Sequence, residues 1–386
     1  MTTTHRHHVA ILGLGGIGSA AFHDLACRGI DVVGIDRERP PHEHGSSHGQ
    51  SRIFRVAYFE HPDYVPLATH SRRRWIEMNA IDSKRIFIPT GGAWVGLETG
   101  RHVGHSRLAA DRHGLCYEIL DEEETRRRWP ALRVPDGQVC FHEPDAGMVC
   151  PEHAIEHFIG EGERHGGEVL VDQSIREIRP EDRGVRIILE EDEVIAEKVI
   201  CALGPWTPAL LNTPDVRLQP TRQLLGWTKP SNPVPVAEGR LPVWLFADDD
   251  ETIQYGFPLC KGLPGPMGAK VARHCHGEAC DPDTVNRSTT PEDERFLTKE
   301  LEHRVPDAAG PLIDSRVCLY TMSDDEHFVI DHHPVHDRIV MASGFSGHGF
   351  KFAPAIGEGL ADMVLEGESR LSMNFLSSSR FKHDQS

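Results

Sequence analysis

Residues 9–36 read VAILGLGGIGSAAFHDLACRGIDVVGID. Val9–Leu12 is an apolar run too short for a helix and of the length of a buried strand. Gly13-Leu14-Gly15-Gly16-Ile17-Gly18 follows at once. Ser19–Arg28 is helix-compatible and Gly29 can end it. Asp31–Ile35 is a second strand, closed by Asp36. The order is β-turn-α-β, and the glycines have separate jobs. Gly13 allows the tight turn, Gly15 lets backbone approach a pyrophosphate, and Gly18 lets helix and strand pack closely. The helix start, with Ile17 in its first turn, presents free N–H groups and a partial positive charge to phosphates. Asp36 stands where a carboxylate would accept hydrogen bonds from an adenosine ribose. GxGxxG alone is a weak signal; with both strands and the terminal acid it points to dinucleotide binding. The bland alternative is a Gly-rich turn in an ordinary α/β domain.

The chain has 386 residues, long enough for two domains. Apolar content of 39% and charged content of 26% describe a soluble globular protein. The net charge of −18 (41 basic against 59 acidic) disfavours nucleic acid and anionic membranes as partners. No apolar run approaches the roughly 20 residues a bilayer needs. MTTTHRHH reads as a polar leader without an apolar core, so no signal peptide is expected. The nine cysteines form no framework and are odd in number, which fits reduced thiols in a cytoplasm.

Beyond Asp36, Pro40–Arg52 is a polar Gly/Ser-rich loop, the kind of segment that carries contacts beside a nucleotide site. Asp63–Met78, Asp121–Arg128 and Pro151–His165 read as helices. Val169–Val171, Ile175–Ile178, Gly184–Leu189 and Val194–Ala202 read as successive strands in a meander. Leu218–Trp227, Val243–Phe246 and Thr252–Phe257 continue the strands, with a turn at Asp248-Asp249-Asp250. Lys261–Gly268 is a Gly/Pro loop. Thr290-Pro291-Glu292-Asp293 resembles a capping box opening one helix to about Val305. Arg316–Tyr320, Phe328–Ile330 and Ile339–Ala342 are strand candidates. Gly344–Phe352 is a second glycine-rich loop before a helix, Pro354–Leu365. Residues 368–386 are mostly polar and expected to be partly mobile.

Several longer motifs, taken in order, carry a resemblance. They are GSSHGQSRIFRVAY (Gly45–Tyr58), YVPLA (Tyr64–Ala68), YGFP (Tyr255–Pro258), DPDTVNR (Asp281–Arg287), VCLYTMSDDEHFVID (Val317–Asp331) and GFSGHGFKF (Gly344–Phe352). With GLGGIG and Asp36, the chain resembles the monomeric sarcosine oxidase and N-methyltryptophan oxidase family, within the D-amino-acid-oxidase-like flavoenzymes. The resemblance implies a mixed α/β fold. It has a Rossmann-like FAD-binding domain (residues 1–84, 145–217 and 316–386) and a discontinuous antiparallel-sheet substrate domain (85–144 and 218–315). It implies FAD, attached through Cys318 to the flavin 8α-methyl group. It also implies oxidation of a secondary amino acid such as sarcosine, giving an imine, with oxygen as acceptor and hydrogen peroxide as product. The family suggests a monomer.

The same resemblance distributes roles. Arg55 and Lys351 would hold the substrate carboxylate; a buried carboxylate needs cations, and two serve better than one. Lys270 would promote the oxygen reaction through its charge. The stretch from Tyr255 to Lys270 is about four residues longer than the family pattern and contains a second lysine, Lys261; GAKVARH (Gly268–His274) favours Lys270. His48 and Arg52 would lie against the flavin ring, and His274 would be an active-site histidine. Tyr255, Tyr320 and Phe246 would line the substrate pocket. Arg37, Ser47, Ile175, Gly204 and Trp206 would surround the cofactor, with Gly16 in the first motif. Gly344, Gly347, His348, Gly349 and Phe350 would stand at the flavin's pyrimidine edge. The rival readings are a nicotinamide dehydrogenase, a flavoprotein with another acceptor, a nucleotide-binding module without activity, and a metal enzyme. The last would use His332-His333-Pro334-Val335-His336 or His274-Cys275-His276. Neither has a recognised zinc spacing, so no metal is expected.

Overall fold

In the computed structural model, residues 4–213, 215–247 and 252–383 are described. The turn expected at Asp248-Asp249-Asp250 lies outside them. The first strand, Thr4–Leu12, is the spine of an eight-stranded sheet. It pairs in parallel with Val32–Ile35 on one side and with Glu193–Cys201 on the other. Glu168–Leu170 and Ile339–Ser343 extend the parallel set. Val9, Ala10, Ile11 and Leu12 are all fully buried. A central parallel strand is covered on both faces, so it reads as a continuous apolar run rather than an alternation.

The helices Gly16–Cys27, Pro151–Arg164 and Ala353–Glu366 cover one face. Val9 and Ile11 point into that layer, while Ala10 and Leu12 point into a second cluster with Val185, Ile187 and Leu203. A nine-stranded, mostly antiparallel sheet forms the other half; the pairing of Val243–Ala247 with Gly92–Gly96 is its parallel exception. Its longest strands, Leu218–Thr228 and Leu312–Ser323, run side by side. A small sheet of Arg52–Phe54, Gly147–Val149 and Phe87–Ile88 joins the halves.

Several expectations change. The stretch read as a polar leader is strand from Thr4 onward, because His5–Ala10 have partners in the strand Glu193–Cys201. The meander is only partly antiparallel, since its first and last strands join the parallel set. The strand expected at Ile175–Ile178 lies at Glu177–Glu181. A helix at Arg101–His113 carries little apolar signal and went unread, as did the strand Ala269–His274. The capping box at Thr290 and Asp293 forms, but the helix it opens stops at Thr298. Glu300 there is left-handed (φ +67°), and a short helix, Leu301–Arg304, follows. The C-terminal tail is tied down as far as it is described: Asp331 accepts from Ser377 and Ser378, and Arg380 pairs with Asp325.

Two consequences can be measured. A Cβ on Gly18 would lie 1.8 Å from the Gly13 carbonyl oxygen, whereas one on Gly160 meets nothing within 4 Å. Gly18→Ala is expected to cost about 3 kcal/mol of unfolding free energy or more. Gly160→Ala, inside a helix, should add about 0.5–1 kcal/mol; urea denaturation reads both. Burial, with His157 alongside, pushes the His23 imidazole down to about 4. Its folded pKa is below the unfolded value, so its contribution is complete above about pH 6.5 and is lost as pH falls toward 4. Stability should drop by about 2 kcal/mol by pH 5 on this account, and His23→Asn should flatten that slope.

Candidate active site

A cleft of about 1750 Å³ opens at the C-terminal ends of the parallel strands, with the second sheet as its far wall. At its nucleotide end Gly13 takes φ +87°, where an added Cβ would collide with the Ala202 carbonyl. Asp36 fixes the turn: its Oδ2 accepts the Leu14 amide at 2.7 Å, and His42 Nε2 lies 3.4 Å from Oδ1. The first helix has no side-chain cap at Gly15. The nearest atom to a Cβ there would be the Ser47 hydroxyl at 3.7 Å, so this backbone stands open to the cleft. Ser47 also accepts the Gly16 amide at 3.1 Å. Ile17, Arg37, Ile175, Gly204 and Trp206 line the cleft as expected. Gly18 does not; it serves helix packing. An uncapped helix start, an open glycine backbone and a terminal carboxylate on one cleft fit a dinucleotide.

The middle of the cleft is walled by the loop Gly45–Arg52. Ser47 and Arg52 face the cavity. Arg52 donates to the carbonyls of Ser51 (2.9 Å) and Ser46 (2.7 Å), and its Nη2 lies 3.6 Å from Cys318 Sγ. His48, Lys270 and Cys318 are buried behind this wall rather than on its surface. Lys270 Nζ donates to the carbonyls of Gly49 (2.5 Å) and Ser51 (2.6 Å). Burial, then Arg52, drives its pKa well below the ordinary lysine value. His48 is likewise pushed far down by burial and Arg52. Lys261 is exposed in the Phe257–Gly268 connection that precedes Lys270. Lys270 emerges in register, opposite Trp227.

At the far end, residues from opposite ends of the chain meet on one ring. The Arg55 guanidinium lies 3.9 Å from the Tyr58 ring centroid, and Lys351 Nζ 5.2 Å from it. Lys351 donates to the His348 carbonyl at 2.7 Å and to the Tyr58 oxygen at 3.3 Å. His348 Nε2 faces the Glu326 carbonyl at 2.9 Å, so Nε2 donates and Nδ1 accepts the Tyr58 hydroxyl at 2.7 Å. Burial pushes His348 down to about 3 and Lys351 well below its usual range. Glu60, which sequence reasoning missed, forms a buried ion pair with Arg55. Its carboxyl is held at about 2; burial opposes ionisation and is outweighed by Arg55 and its neighbours. Arg55 Nη1 and Glu60 Oε2 have no hydrogen-bond partner among the described residues.

Tyr255, Tyr320 and His274 also line this end. His274 Nδ1 is 3.3 Å from the Tyr320 hydroxyl, and burial pushes the imidazole down to about 4. Gly347 permits Tyr320 its place, since an added Cβ would fall 2.3 Å from that ring. His348, Gly349, Phe350 and Lys351 line the cleft, whereas Gly344 packs against Leu218 and Val329. Phe246 is a correction. Cross-strand partners share a face; Tyr255 faces Leu245, so Leu245 and Ile253 line the cleft. Phe246 turns into the core, with Arg304 over its ring.

Two further carboxylates, Glu143 buried and Glu152 half-buried, were also missed. Glu143 accepts the amides of Val56 and Ala57 and the indole of Trp94, holding the backbone beside Arg55. Glu152 accepts the amides of Gly49 (2.7 Å) and Gln50 (2.9 Å). No periodicity marks them, and their neighbours, His142 and Pro144 for Glu143 and Pro151 and His153 for Glu152, give no signal. Of the histidine clusters, His332 bonds the Gly367 carbonyl and His333 the Asn212 carbonyl, while His276 lies 3.5 Å from the Glu326 carboxylate. Among the described residues one group, Glu38, His42 and His44, brings ligand atoms within 4.8 Å of each other. Its closest contact is the His44–Glu38 ion pair, at 2.5 Å.

Residues 8–363 match the family described as FAD dependent oxidoreductase. The chain is 36% identical over 364 residues to monomeric sarcosine oxidase of Streptomyces avermitilis, covering 94% of each chain. It is 29% identical to N-methyl-L-tryptophan oxidase of Yersinia pestis, covering 97% of this chain and 100% of that one. Among solved structures, L-proline dehydrogenase from P. horikoshii superposes with a TM-score of 0.84 at 18% identity, over 99% of both chains.

Glu60 competes with any incoming carboxylate for Arg55. Glu60→Gln should bind acetate about tenfold more tightly than the parent, by calorimetry, a gain of about 1.4 kcal/mol. It should also lose about 3 kcal/mol of stability, because Arg55 is left buried without its counter-ion.

Proposed function

This chain belongs to the family of FAD dependent oxidoreductases, and we propose that within it the protein is an oxidase of a secondary, N-methyl amino acid such as sarcosine. The observation that carries the reading is the meeting of Arg55 and Lys351 on the Tyr58 ring, in the wall of the cleft that begins at the glycine-rich turn. Two cations with hydrogen-bonding capacity to spare suit one carboxylate. The cleft fits FAD by its open Gly15 backbone, uncapped helix start and Asp36. Gly13, Gly15, Ile17, Arg37, Ser47 and Trp206 would hold the nucleotide, and Arg52, Gly347, His348 and Gly349 the ring system. FAD, when bound, supplies the two-electron acceptor.

The chain's own residues then divide the work. Arg55 and Lys351 fix the carboxylate, so the amine and its methyl group have one orientation. Tyr255, Tyr320, Leu245 and Ile253 exclude water around them. His274 and His348 are neutral at pH 7, as their pKa values of about 4 and 3 require. His274 can therefore take part in a hydrogen bond without adding charge, whereas both nitrogens of His348 are already engaged, by Tyr58 and the Glu326 carbonyl. Lys270, anchored on the Gly49 and Ser51 carbonyls, would stand on the acceptor side of the reaction. Oxygen is that acceptor in our reading, the products being hydrogen peroxide and an imine hydrolysed to amine and aldehyde.

Cys318 is the attachment point, through its sulfur and the flavin 8α-methyl; Arg52 places a cation 3.6 Å from it. The domain limits of 1–84, 145–217 and 316–386 against 85–144 and 218–315 form part of the proposal. The sheet membership of most strands supports them, though the strand Leu312–Ser323 pairs with the second sheet. All nine cysteines are free, which supports a reducing cytoplasm; the monomer rests on family resemblance. No described helix is long and apolar enough to cross a membrane.

Peroxide release from sarcosine, N-methyltryptophan, N-methylalanine, proline and pipecolate tests the activity. Turnover of at least one is expected, and Lys351→Met should raise its KM about 100-fold with the fold intact. Peroxide from none, with flavin bound, would sink the oxidase reading. Acid precipitation should leave the yellow colour in the pellet, and Cys318→Ser should release it to the supernatant.

A further inference from the structure

The loop between the second sheet's strand Glu278–Ala279 and the helix Pro291–Thr298 reaches across to the nucleotide end of the cleft. Asp281 opens a turn there, its side chain accepting the Asp283 amide at 2.8 Å. The Asp283 carboxylate then does two things with one oxygen. Oδ1 accepts from Arg37 Nη1 at 2.7 Å and from the Trp206 indole at 2.8 Å. Arg37 and Trp206 come from different strand ends of the first sheet, and the guanidinium is stacked 4.6 Å from the indole centroid. Both line the cleft beside Asp36, whereas Asp283 does not. Four residues on, Arg287 Nη2 donates to the His44 carbonyl at 2.9 Å. That places a second tie on the loop carrying His42 and Ser47, across the same mouth.

We propose that Asp283 is a positioning residue for the adenosine half of the cofactor. It holds the Arg37–Trp206 stack as a preformed wall at the ribose end, and with Arg287 it straps the second sheet over that end. The Arg37 side chain is otherwise long and exposed; without Asp283 it would lose its fixed place, and binding would have to restore it. The hydrogen bond from Arg37, joined by that from the Trp206 indole, also lowers the pKa of the Asp283 carboxyl and holds it ionised. An exposed ion pair alone contributes little. Here the carboxylate is shared with an indole N–H and linked to a stacked pair, so the three groups order one another. The contact lies at the adenosine end, so its effect is confined to that half. The inference needs only a bound FAD and is independent of the amino-acid substrate.

The test uses the full chain in a Cys318→Ser background, so that flavin exchanges freely. FAD, FMN and AMP binding to the apoprotein are measured by fluorescence quenching and calorimetry for the Asp283→Ala and Asp283→Asn variants. Asp283→Ala should weaken FAD and AMP together, about tenfold, and leave FMN within twofold. Asp283→Asn keeps the shared acceptor oxygen and should recover most of that loss. An equal loss for FMN would mean a general structural effect and would overturn the assignment. No change for FAD and AMP would do the same. Should Asp283→Ala fail to fold, Arg37→Gln carries the same comparison, with FAD and AMP weakened and FMN spared, against Asp283→Asn staying close to the parent.

Discussion

Arg55 and Lys351 are cations almost wholly removed from water, and that is the constraint on which the rest of the site depends. A buried charge costs several kcal/mol unless it is paired and hydrogen-bonded. The surrounding structure offsets this cost from every side. Glu60 supplies the counter-ion, Tyr58 and Phe59 offer ring faces, and the His348 carbonyl takes the ammonium. Glu143 stiffens the backbone from below. The two cations are nearly 300 residues apart in sequence. Only when the small joining sheet and the C-terminal helix have both docked can the pair exist.

The Gly45–Arg52 loop is the second dependent element. It is thin, Gly/Ser-rich and in part left-handed, with Gly49 and Gln50 at positive φ. Such a segment would be mobile alone. Lys270 from one sheet and Glu152 from a helix of the other hold its backbone by hydrogen bonds, and the Trp227 indole holds Gln50 at 2.7 Å. A wall that would face the cofactor is therefore fixed from behind by both halves of the molecule.

The sequence showed best what is local. GLGGIG and its flanking strands give the nucleotide end because turn, helix start and both strands lie in one short stretch, although Ala202 and Phe350, which crowd Gly13 and Gly16, come from far along the chain. The capping box at Thr290 was legible for the same reason. Where geometry depends on cross-strand pairing, the reading failed. The resemblance puts Phe246 on the cleft, but register with Tyr255 turns Leu245 inward instead. Lys270 was identified, yet its place behind the loop depends on partners at Gly49 and Ser51. Glu60 and Glu143 belong to no pattern; only burial distinguishes them from surface acids. His5–His8 read as a leader because their polarity hides a strand paired along its length.

The pairing of Leu218–Thr228 with Leu312–Ser323 has an evolutionary corollary. Cys318 is opposite Gln223, and Tyr320 is opposite Thr221. Alternation along a strand means that a shift of one residue would present the opposite face. The cysteine and the tyrosine would then leave their places together. Insertions can accumulate in the loops of the excursion between these strands without disturbing either residue. A single-residue deletion within either strand would not be so forgiven. Lineages of this chain should therefore vary in length at the excursion's loops and stay fixed in length along the two strands.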